Sequence, residues 1–171
     1  MSKHRLHRLR ARAAGLLTAT LAGCALLAPP DIRPGQSEAE VRRLLGPPTG
    51  RYALPAEATR LEFATGPYGR TTWMVDLDPA GQVTGARQVL GEASFADFQA
   101  RAPGMHRDEL LRTLGRPGER RSGGWAGGEV WSWRYPTNDC LWFQSSIGDD
   151  GIVRDGAYAI DPRCDAPADH P

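Results

Sequence analysis

The sequence predicts an α+β fold of two tandem units, each with a short helix or helices and a three-stranded antiparallel meander. Three observations predict it. One segment recurs after 69 residues, each copy carries the signals of a capped helix, and strand-like runs separated by turn residues follow each copy.

The first copy reads Pro34-Gly35-Gln36-Ser37-Glu38-Ala39-Glu40-Val41-Arg42-Arg43-Leu44-Leu45-Gly46-Pro47-Pro48. The second reads Pro103-Gly104-Met105-His106-Arg107-Asp108-Glu109-Leu110-Leu111-Arg112-Thr113-Leu114-Gly115-Arg116-Pro117. Ser37 is a good N-cap, and Glu40 three residues later completes a capping box. Val41, Leu44 and Leu45 form an apolar stripe at i, i+3 and i+4. Gly46 can take the left-handed conformation that ends a helix, and Pro47 and Pro48 forbid its continuation. Leu110, Leu111, Leu114, Gly115 and Pro117 repeat the pattern. His106 stands where the serine cap should be, so that terminus is less well satisfied. A short extra helix is expected over 93–100, with Ser94 as its cap and Phe95 and Phe98 on one face. The first copy has no counterpart to it.

Strands are expected at Arg60 to Ala64, Arg70 to Leu77 and Gln82 to Leu90, joined by Gly66–Gly69 and Asp78–Gly81. In the second copy they are Glu129 to Tyr135, Leu141 to Ile147 and Ile152 to Ile160, the last two joined by Gly148–Gly151. Connections this short demand antiparallel neighbours. Trp131, Trp133 and Tyr135 alternate with polar residues, so they share one sheet face and pack on the helix of their unit. The units therefore span 33–91 and 92–164, with an extended tether at 24–32 and a disordered tail at 165–171.

The start of the chain has the order of a bacterial export signal. Lys3, Arg5, Arg8, Arg10 and Arg12 precede an apolar run from Ala13 to Ala22 that is too short to span a bilayer as a helix. Leu21-Ala22-Gly23-Cys24 resembles the lipobox of bacterial lipoproteins. That resemblance implies cleavage after residue 23 and acylation of Cys24, which then anchors the protein. Removing 1–23 leaves 16 basic and 20 acidic residues, a net charge near −4. This balance argues against nucleic acid as a partner. Lys3 is the sole lysine, so the mature chain carries no lysine for covalent catalysis.

Cys140 and Cys164 then remain as an even pair. In an oxidising compartment a disulfide is the default for them, with two free thiols or half a metal site as alternatives. No Cys-x-x-Cys or histidine cluster accompanies them, and no metal or cofactor is expected. The mature chain has two histidines, His106 and His170, and no nucleophile elbow, zinc-protease motif or phosphate loop. Gly123-Gly124-Trp125-Ala126-Gly127-Gly128 lacks the Lys-Ser/Thr ending of a phosphate loop. Asp149 and Asp150 sit in a turn, where aspartate caps backbone groups. An enzyme is not expected.

The lipobox, the motif from Gly35 to Pro48 and the strands after it resemble the SmpA/OmlA, or BamE-like, family of outer-membrane lipoproteins. The resemblance covers most of the mature chain, through Gly35, Ser37, Glu40, Val41, Leu45, Gly46 and Pro48, and again through Gly104, Glu109, Leu110, Leu114, Gly115 and Pro117. Members are typically a single unit, whereas this chain holds two. The resemblance implies a two-helix, three-strand unit, also seen in β-lactamase inhibitor proteins. It implies a non-enzymatic accessory role in β-barrel outer-membrane protein assembly. The implied partners are the assembly proteins and anionic phospholipid headgroups. Arg42, Arg43 and Arg112 on helix faces, or a basic loop with Arg116, Arg120 and Arg121, are candidates for the headgroup contact. By resemblance to bacterial lipoproteins in which an aspartate after the acylated cysteine retains them in the inner membrane, Ala25 after Cys24 implies the outer membrane. The alternative is a lipoprotein that regulates or inhibits another periplasmic protein.

Overall fold

The computed structural model describes residues 29–65, 70–123 and 127–164. Among them are three α-helices and two four-stranded antiparallel sheets, an α+β architecture. The order is α1 (Glu38–Leu45), β1 (Gly50–Ala53), β2 (Thr59–Thr65), β3 (Thr71–Leu77), β4 (Val83–Gln88), α2 (Glu92–Gln99), α3 (Arg107–Leu114), β5 (Glu119–Ser122), β6 (Glu129–Arg134), β7 (Leu141–Ile147) and β8 (Ala157–Ile160). A single 3₁₀ turn follows at Pro162–Cys164. None of the described helices is long and apolar enough to cross a membrane.

Each sheet has four strands rather than the expected three. The added strands, β1 and β5, lie on the outer edges of the orders β1-β2-β3-β4 and β5-β6-β7-β8. Gly-Arg-Tyr-Ala and Glu-Arg-Arg-Ser carry no apolar alternation, because an edge strand half in water needs little of it. Arg120 and Arg121 therefore belong to β5 and not to a basic loop.

The helix motif does the same backbone work twice. Gly35 N–H donates to Val83 O at 2.8 Å, and Gly104 N–H to Val153 O at 3.0 Å. Val83 N–H returns to Gln36 O, and Val153 N–H to Met105 O, each at 2.8 Å. Gly35 and Gly104 sit at φ 85° and 86°, a turn that glycine adopts without steric cost. It presses the residues before α1 against the start of β4, and those before α3 against the bridge residue Val153 ahead of β8. Gly46 and Gly115 end their helices at φ 82° and 79° with ψ near ±180°, not at the left-handed helical ψ expected. That region is essentially open to glycine alone.

Two apolar cores alternate with the layers. Val41 of α1 packs on Leu61, Phe63, Val75, Leu77 and Val83, with Leu45 half-buried beside them. Alternation along β2 and β3 sends Arg60, Glu62, Met74 and Asp76 to the other face of the sheet. There Met74 joins a larger core with Phe95, Phe98, Leu110, Leu114, Trp131, Trp133, Phe143 and Ile147. The helix α3 thus lies between the two sheets, α2 packs its Phe95 and Phe98 against the second sheet with its other face exposed, and α1 caps the stack. This one-sided packing leaves Leu44 52% exposed, outside the stripe in which it was expected.

Three boundaries depart from expectation. The α2 N-cap is Gly91 with no side-chain bond, and Ser94 falls inside the helix. The expected strand Ile152 to Ile160 is broken into two bridges and β8. At the break the exposed Asp155 carboxylate accepts from Ser146 N–H at 2.8 Å and Ser146 Oγ at 3.1 Å, which takes the place of a ladder pairing. In β4 the pairing covers Val83–Gln88 only, with a register shift at Asp76/Leu77.

Candidate functional site

The motif residues hold the two helices in place. In α1 the capping box is complete. Ser37 N–H and Ser37 Oγ donate to Glu40 Oε2 at 2.8 and 2.7 Å, and Glu40 N–H donates to Ser37 Oγ at 3.4 Å. These bonds from Ser37, backbone first, hold the Glu40 carboxyl below its ordinary range. In α3, His106 Nδ1 accepts from Asp108 N–H at 3.3 Å. Glu109, in the place of Glu40, instead reaches Arg101 at 3.8 Å. Pro48 and Pro117 are half-buried just past their helices.

A polar joint forms where the second helix meets the first sheet. Glu62 is fully buried on β2 and accepts hydrogen bonds from the Tyr52 hydroxyl and, at 3.0 Å, from Thr49 Oγ1. Burial first, then the Glu62 carboxylate, raises the Tyr52 phenol above its usual range, so it stays a donor. Gly115 lies directly over this group. A Cβ there would stand 3.0 Å from Thr72 Cγ2, 3.1 Å from Glu62 Cδ and 3.2 Å from Met74 Cε. Trp133 Nε1–H donates to Gly115 O at 3.1 Å, which links the joint to the second sheet. Nothing in the sequence pattern singled out Glu62; a lone glutamate in a strand reads as a solvated residue.

At the far end of the second sheet, Cys140 and Cys164 are joined, with Cα atoms 5.9 Å apart. Cys140 sits opposite Asp161, because Leu141 pairs with Ile160 and Asp161 N–H donates to Cys140 O at 2.9 Å. Beside the disulfide, Arg134 holds Asp161 through two hydrogen bonds of 2.6 and 2.9 Å. These bonds are the first cause of the lowered Asp161 carboxyl. Arg121 and Arg134 lie 5.3 and 4.9 Å from the Trp142 ring, and Arg120 lies 4.1 Å from that of Trp131. Trp142 is buried, and its Nε1–H finds no acceptor among the described residues.

Arg42 and Arg43 are exposed on α1, Arg112 is half-buried on α3, and Arg116 lies beside Tyr52. These arginines do not converge on one surface. Cys24, Ala25, Trp125 and His170 lie outside the described residues. Asp149 and Asp150 cap backbone: Asp149 accepts from Gly128 N–H at 2.8 Å, and Asp150 from Ile152 N–H at 3.0 Å. No group of three or more metal-ligating side chains occurs among the described residues.

No family model, no curated protein and no solved structure matches this chain.

Proposed function

We propose that this chain is an outer-membrane lipoprotein of two BamE-like units, anchored through Cys24, that acts as a non-enzymatic scaffold in β-barrel protein assembly. The observation that carries the reading is the duplicated framework of Gly35/Gly104, Gly46/Gly115 and Val83/Val153. The family motif performs one backbone task in both units, so its residues serve the fold. Recognition then falls to the surfaces that the layers present. A rigid stack held on an acyl anchor suits the bridging of membrane-bound subunits.

The second reading, a module that regulates another periplasmic protein, is favoured by one feature. The edge strand β8 exposes Tyr158 (39%) and Ile160 (63%), beside a backbone edge that pairs with no further strand among the described residues and can accept one from a partner.

Affinity purification from detergent-solubilised membranes, with the tag after Pro171 so that Cys24 stays free, separates the two. Recovery of a large β-barrel protein with companion lipoproteins supports the scaffold. Enrichment of one soluble periplasmic protein without them overturns it in favour of the regulator.

A further inference from the structure

We propose that the cleft between the first sheet and α3 is a binding site for a phosphate-class anion. The cleft is open to solvent, has a volume of about 460 Å³ and is lined by Arg60, Arg87, Arg101 and Arg112, with Glu109, Thr113 and the turn after β1. That volume suits a small ligand or a headgroup.

Its charges are not balanced from within. Asp76 takes Arg60 in a bidentate pair of 2.5 and 2.7 Å and reaches Arg87 at 3.6 Å. Glu109 reaches Arg101 at 3.8 Å. Arg112 pairs with no carboxylate among the described residues. Four guanidiniums thus face two carboxylates. Burial, and next the charge of Arg60, press the Arg87 guanidinium below its usual range, against the opposing pull of Asp76. An anion in the cleft relieves that repulsion. Guanidinium forks match phosphate oxygens in geometry as well as charge.

An arginine in the last turn of α3 complements the helix dipole, which accounts for Arg112 and not for the other three. Arg60 is built into the wall: its Nη1–H donates to Arg112 O at 2.8 Å, which ties the sheet to the helix. The site also depends on the tandem arrangement. The positions of Arg60 and Asp76 are filled in the second unit by Val130 and Ser146. The cleft arises only where the first sheet meets the second helix, so a single unit cannot form it.

The source of the phosphate is either a lipid headgroup or a soluble anion, and one experiment separates them. The full acylated protein is placed in nanodiscs of phosphatidylcholine, with and without phosphatidic acid, and binding of inorganic phosphate is measured by equilibrium dialysis. Saturable binding is expected in phosphatidylcholine discs. R112Q and R87Q should each weaken it about tenfold, while R154Q, which removes an exposed charge elsewhere, leaves it unchanged. R60Q is avoided because Arg60 also braces α3, and unchanged melting of the two test variants confirms their fold. Suppression of phosphate binding by phosphatidic acid identifies the headgroup as the ligand. Equal binding in both discs identifies a soluble anion. No saturable binding, or an equal loss in R154Q, overturns the site.

Discussion

The two units share a backbone plan and differ in what surrounds it. α1 is packed on one side, so Val41 is its one buried residue. α3 lies between two sheets, so Leu110 and Leu114 are buried and Leu111 is half-buried. Leu111 takes the place that exposed Arg42 holds in α1. The same helix signature therefore presents one apolar row at the end of the stack and two inside it. The cores scale with this. Leu61 and Phe63 of β2 correspond to Trp131 and Trp133 of β6, and α2 adds Phe95 and Phe98 to the second core. Phe95 stacks on Phe143 with centroids 4.2 Å apart.

Truncation tests the inequality of the cores most strongly. Trp133→Ala should cost about 3–5 kcal/mol, as a large buried aromatic does. It also strands the Gly115 carbonyl and loosens the contact between sheets. Phe63→Ala, in the smaller core, should fall at the lower end of that range. Calorimetry of both variants checks this. A Phe63→Ala loss equal to or greater than that of Trp133→Ala would sink the idea that the middle layer carries the stack.

The disulfide belongs to the second unit alone, since the first has no cysteine in its described residues. Serine at both Cys140 and Cys164 should cost about 2–4 kcal/mol. Hydrogen exchange should quicken in β7 and β8 and stay unchanged in β1 to β3. Equal quickening in both sheets would mean that the staple acts on the whole stack.

Much of this plan was legible in the residues because it rests on local chemistry. The Ser37/Glu40 box, the glycine stops and the Asp78–Gly81 and Gly148–Gly151 turns act within a few residues, and the alternation of Trp131, Trp133 and Tyr135 has a strand's period. The strands β2, β3, β6 and β7 fall within a residue of their expected bounds. What was not legible depends on partners distant in sequence. β1 and β5 pair as edges without an apolar pattern. Leu44 loses its core place because nothing among the described residues packs on that side of α1. Glu62 is buried by Gly115, 53 residues away. The break before β8 comes from Asp155 reaching across to Ser146.

The helix stops give a smaller contrast. Gly46→Ala meets open space but must hold φ 82°, and Gly115→Ala adds close contacts with Thr72, Glu62 and Met74. Backbone strain of this kind costs about 1–3 kcal/mol. Gly46→Ala should fall within that span and Gly115→Ala at or above its top, read by urea denaturation. Equal losses would show that the joint yields to a methyl group.

The caps give the smallest effect. Ser37→Ala should cost about 1 kcal/mol, because it opens a complete box. His106→Ala should cost less, since His106 contributes one bond of 3.3 Å from an exposed ring. The sharper test runs the other way. Glu109 already stands three residues after His106, so His106→Ser supplies the missing half of a capping box. Glu109 would give up only its exposed 3.8 Å contact with Arg101, a pair worth little in water. A gain of about 0.5–1 kcal/mol is expected, measured as a shift in melting temperature beside Ser37→Ala. If His106→Ser is neutral or destabilising, the two helix starts differ in more than the identity of the cap, and the equivalence of the units ends at their backbones.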